Sequence, residues 1–136
     1  GEIGELTMGA CGDLVVWPVP LVGSDQSHVG DWPSTLDALL ALGPSTFVPG
    51  HGPVLRSADY PRAMRDLFVS INQQVGSAAA RGDSLEATRK AVDLSAFRKQ
   101  FAGASNVRDF AFGMYVAGPA VESAYRDATA KAKARQ

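Results

Sequence analysis

Two side chains in this sequence stand where chemistry could be done. Asp13 follows Gly12 and opens onto the apolar run Leu14-Val-Val-Trp-Pro-Val-Pro20, and His51 sits inside Phe47-Val-Pro-Gly-His-Gly-Pro53. Each is a single metal-competent group at the edge of an apolar run, on a turn built with glycine or proline. Glycine lets backbone approach whatever an imidazole faces, and proline holds the turn still. An imidazole fixed in this way suits a metal ligand or a general base. The other reading is a rigid turn that carries an exposed histidine. For Asp13 the other reading is ordinary turn chemistry, because Asp beside Gly is common in turns and caps. The remaining polar candidates are weaker. His28 lies in a polar loop, Cys11 serves as readily as a small apolar filler as it would as a nucleophile, and Asp25 and Asp31 read as loop and cap. The sequence holds no GxSxG nucleophile elbow, no Gly-rich phosphate loop and no CxxC pair, which removes several enzyme classes.

The elements that must hold these groups fall into two compositional zones, expected to be residues 1–57 and 58–136. In the first, Leu14–Val19 predicts a strand confined to a sheet edge by Pro18 and Pro20. Residues 23–31 predict a loop. Asp31 is placed to cap a helix bearing Trp32, Leu36, Leu39 and Leu40, with Pro33 in its first turn and Gly43-Pro44 at its end. Thr46–Val48 predicts a second short strand. Strand, helix and strand in that order predict an α/β sheet with a helical crossover.

The second zone predicts helices throughout. Met64, Leu67, Phe68, Ile71 and Val75 trace one stripe, stopped at Gly82. Ser84 caps a shorter helix, and Leu94, Phe97 and Phe101 mark another that ends at Gly103. Phe110, Met114 and Tyr115 form a stripe broken at Gly118-Pro119, after which Val121, Ala124, Tyr125 and Ala128 define a last helix. Tyr60, Phe110 and Phe112 are expected in the core ahead of a cleft lining, and Trp17 and Trp32 in core or edge packing.

Length and composition fit one modest domain: 136 residues, 46% of them apolar. A formal charge of −1 argues against a nucleic-acid partner, and the basic residues of the Lys131–Arg135 tail read as a solvated helix end. The lone cysteine allows no internal disulfide, which fits a reducing, cytoplasmic setting. No apolar run reaches the roughly 18 residues of a bilayer span, so no membrane association is expected. The sequence opens on Gly1 and not on Met, as a processed or truncated chain would.

Taken together, Gly12-Asp-Leu-Val-Val-Trp-Pro-Val-Pro20, Trp32…Thr35-Leu36…Leu39…Leu42 and Val48-Pro-Gly-His-Gly-Pro-Val54 resemble the C-terminal half of a metallo-β-lactamase-fold metallohydrolase. The tail resembles the helical extension of a bacterial branch of that family, in Arg81-Gly-Asp-Ser-Leu-Glu-Ala-Thr88, Val92-Asp-Leu94…Phe97…Phe101 and Gly118-Pro-Ala-Val-Glu-Ser-Ala-Tyr125. The resemblance implies one half of an αββα sandwich followed by helices. It also implies that Asp13 bridges two zinc-type ions, with His51 binding the second of them. Such a metal pair lowers the pKa of a bound water to about 7 and polarises an ester, thioester, lactone or amide. Zinc is the implied cofactor, other divalent metals also suit His/Asp donors, and the implied partner is a small-molecule substrate of the intact parent.

The family's remaining ligands belong to a His-x-His-x-Asp-His motif and a further histidine, all placed before the Gly-Asp step. This chain has two histidines, both after Asp13, so by itself it is expected to be inactive. The stretch before Asp13 also departs from the family, being glycine-interrupted where an apolar strand would run. A strand face left open would favour aggregation or association, so homo-oligomerisation is one expectation. The competing expectation is non-catalytic: a helical interaction or dimerisation module on a degenerate remnant of that fold.

Overall fold

The computed structural model describes residues 15–22, 28–44 and 46–135. It corrects the expected architecture. Helix makes up 69% of the described residues, which hold no strand or sheet. The α/β sandwich is therefore not formed; the fold is all-helical. A short 3₁₀ turn, Val29–Asp31, leads into α1 (Trp32–Ala41). There follow α2 (Asp59–Ala80), α3 (Leu85–Ala91), α4 (Ser95–Ala102), α5 (Asn106–Phe112), a π-helical turn (Gly113–Ala117) and α6 (Gly118–Ala134). Of the two expected strands only isolated bridges exist, a parallel one joining Val16 to His51 and an antiparallel one joining Phe47 to Leu55. β-Branched residues favour extended backbone, but a strand is stable only when a neighbour pairs along its length. Here the pairing stops after a residue or two.

The 22-residue α2 is the spine. Met64, Leu67, Phe68, Ile71 and Val75 recur at helical spacing and are fully buried. Each contributes about 1.5–3 kcal/mol of hydrophobic stabilisation. α1 and α6 pack on either side of it, with Trp32 of α1 meeting the Phe68 ring edge to face at 4.6 Å. One continuous core joins these helices to Val15, Val19, Val22, Val29 and Phe47 of the irregular first zone.

The helix ends follow local rules. Gly82 takes φ +80 just past α2 and Gly103 takes φ +57 after α4, conformations that cost a side-chain-bearing residue strain. Ser84 caps α3 by accepting from Ala87 N at 3.1 Å. Asp31 differs from expectation. Its side chain makes no cap bond, and its carbonyl instead accepts from Ser34 Oγ and Thr35 Oγ1 at 2.9 and 3.0 Å.

Gly118-Pro119 does not end a helix as expected. The chain runs on from α5 into α6 through the π turn. Phe112, Val116, Ala120 and Ala124 all face the core, and a strict spacing of four is wider than the 3.6 of an α-helix. A π turn accommodates it. Pro119 has no N–H for the Tyr115 carbonyl one turn back. That carbonyl accepts from Val22 N at 3.0 Å instead, which ties the irregular segment to the helix.

Candidate functional site

His51 stands on an exposed turn whose backbone is held on both sides. Trp17 N donates to the His51 carbonyl at 3.1 Å, and Gly50 N donates to the Val15 carbonyl at 3.1 Å. Gly52 adopts φ +110, and a side chain built there would place its first carbon 2.8 Å from Trp17 Cβ. Only glycine fits, for backbone conformation and for space. The turn is therefore clamped against Trp17, as the Gly-His-Gly pattern led one to expect. The Trp17–Pro18 peptide is cis.

Asp13, the second expected metal ligand, lies outside the described residues, as does Cys11. Two residues of chain, Leu14 and Val15, separate Asp13 from Val16, a reach of about 10 Å at full extension. The Val16–His51 bridge thus brings the chain that leads away from Asp13 to the histidine's own turn. His28 is remote in role. Its Nδ1 lies 3.1 Å from Asp127 Oδ1, and the same carboxylate accepts from Gly30 N at 3.1 Å. With Val29 N donating to Ser123 Oγ at 3.1 Å, these bonds fasten the 3₁₀ turn to α6. That is an anchoring function.

Two side chains from the helical zone hold the segment beside His51. Tyr60, at the start of α2, donates its hydroxyl proton to the Val16 carbonyl. Its ring packs edge to face on Phe101 at 5.7 Å. Burial pushes the Tyr60 hydroxyl well above its ordinary pKa, so it stays protonated and keeps its donor. Arg108 of α5 lays its guanidinium over the Trp17 ring at 4.8 Å, a cation–π contact. Phe101 in turn stacks on Phe112 at 6.0 Å, continuing the aromatic path into the core. The helical zone is thus the platform on which the His51 turn is mounted.

Phe110 is expected in the core but is 63% exposed, in a row with Val107, Met114 and Tyr115. Phe112 is fully buried as expected. Among the described residues no three His, Cys, Asp or Glu side chains converge as a metal site would need. One imidazole and one carboxylate do not make a catalytic metal centre, so the residues described here do not fit a zinc pair on their own. No helix among the described residues is long and apolar enough to cross a membrane. Comparison with protein-family models, curated proteins and solved structures gave no match.

Proposed function

We propose that this chain belongs to a metal-dependent hydrolase of the metallo-β-lactamase superfamily, to which it contributes His51 and Asp13 as ligands. The remaining imidazoles come from polypeptide outside these 136 residues. The single observation that carries the reading is the His51 turn, clamped by Gly52 against Trp17 and paired in parallel with Val16, three residues after Asp13. A ligand histidine needs restricted backbone freedom and a neighbouring donor, and the turn supplies the first directly. Val48 and Val54 flank His51 and are each 47% exposed, a pair of positions that further polypeptide would cover. The reaction class is hydrolysis of an ester, thioester, lactone or amide, and this chain alone is inactive.

Three measurements test the reading. The chain by itself should retain no stoichiometric zinc after dialysis and give no turnover of a generic ester or thioester. Tightly held zinc with turnover would mean that the ligand count is wrong. The coding sequence upstream of Gly1 should encode His-x-His-x-Asp-His in frame. In the longer protein His51→Ala should remove one of two metal equivalents and at least about a hundredfold of activity. An upstream sequence without that motif ends the proposal.

A second reading has an observation of its own. The outward row Val107, Phe110, Met114 and Tyr115 favours a non-catalytic interaction module. A metal-free, monodisperse homo-oligomer by light scattering would favour it over the hydrolase. A monomer whose solubility depends on co-expression with an N-terminal half would favour the hydrolase.

A further inference from the structure

Away from His51, a half-open cavity of about 380 Å³ lies between α3, α4, the π turn and α6. Its apolar lining includes Val92, Leu94, Phe112 and Val121, of which Phe112 is fully buried. On the side of the π turn the wall is Ala117 and Gly118, residues too small to fill the space. The short helices α3 and α4 close the opposite side and bring one arginine each, Arg89 and Arg98.

Both guanidinium groups are held in place. Arg98 makes a two-pronged pair with Asp109, Nε to Oδ1 at 2.6 Å and Nη2 to Oδ2 at 2.9 Å. Arg89 Nη2 donates to Glu122 Oε2 at 2.8 Å, its one hydrogen bond among the described residues. A guanidinium carries five N–H donors in a rigid fork. Each of these two therefore keeps donors beyond those its acidic partner uses. Holding the forks fixed removes much of the ordering cost of binding a further acceptor. A fixed fork above an apolar floor matches a molecule with one anionic end and one hydrocarbon end.

We propose that this cavity is a binding site for a small apolar monocarboxylate, with its hydrocarbon part on Val92 and Ala117, above the buried Phe112 and Val121, and its carboxylate on Arg89 and Arg98. Size sets the range of ligand. An apolar cavity of about 150 Å³ accepts benzene, so this one has room for roughly 12–15 non-hydrogen atoms. Medium-chain fatty acids and aryl-alkanoic acids fall within that range. The site shares no residue with the His51 turn and does not rest on the hydrolase reading.

The test titrates decanoate into the full 136-residue chain, followed by calorimetry and by methyl NMR. Saturable one-to-one binding is expected, with the largest shifts at the Leu94 and Val121 methyls, and decanol should bind at least about tenfold more weakly. Arg89→Gln should weaken decanoate by roughly tenfold and leave decanol unchanged. Ala117→Trp, which fills the cavity, should abolish both, with circular dichroism confirming that the variant is folded. The methyl shifts of the unaltered chain stand whether or not that variant folds. No saturation, shifts centred elsewhere, or equal affinity for decanol and decanoate would each overturn the proposal.

Discussion

The two zones of the molecule are stabilised in opposite ways. From Asp59 onward the signals are mostly local: α2 buries its stripe and stops before Gly82, Ser84 caps α3, and α4 stops at Gly103, so local sequence and local structure agree. Residues 15–22 and 46–57 have no such autonomy. Two isolated bridges and a few long-range bonds hold them: Tyr60 to Val16, Arg108 to Trp17 and Tyr115 to Val22. A segment rich in β-formers, without a sheet to join, borrows its order from the helices beside it. The contrast teaches that the His51 turn is only as rigid as the helical platform beneath it.

That contrast can be broken at four points. The largest effect is expected from Phe68→Ala, which empties the centre of α2 and removes the edge-to-face partner of Trp32. It should cost about 3–5 kcal/mol in chemical denaturation and carry both zones with it. Gly52→Ala should cost about 1–3 kcal/mol, through a forbidden φ and a clash with Trp17. Its effect should stay local: hydrogen exchange at Trp17 N should speed up while exchange in α2 does not change. If α2 also loses protection, the platform and the turn are one cooperative unit and the contrast fails.

Tyr60→Phe should cost about 1 kcal/mol, the worth of the bond to Val16. It also carries a pH signature. The folded-state pKa of Tyr60 lies above its ordinary 10.0. Its contribution is therefore fully present below pH 10 and is lost as the pH rises beyond it, when only the unfolded chain releases the proton. Unfolding free energy measured from pH 9 to 11 should fall less steeply in the Phe variant than in the unaltered chain. The smallest effect is expected from Arg108→Gln, about 0.5–1 kcal/mol, read through a change in Trp17 fluorescence.

Much of the helical zone was legible because its information is local. The α2 stripe, the Ser84 cap and the Gly82 and Gly103 stops rest on residues within a turn of one another. The strands at Leu14–Val19 and Thr46–Val48 were misread for the complementary reason: strand propensity is realised only with a distant partner. Phe110 and Met114 show a second limit. Their apolar spacing identified a helix, but spacing does not say whether a facing surface exists, and the π turn alters the phase of the inward face. At the candidate site, Gly-His-Gly was readable as a clamped turn. Its supports were not, because Tyr60 reaches Val16 across 44 positions and the Arg108–Trp17 contact spans two different zones.

The link between Val22 and Tyr115 runs from main chain to main chain, so it carries no fingerprint in either side chain. The vulnerable spot lies elsewhere, at Pro119. Exchanging Pro119 for a residue with an amide hydrogen would create a rival donor for the same oxygen, and Val22 would have to compete with it.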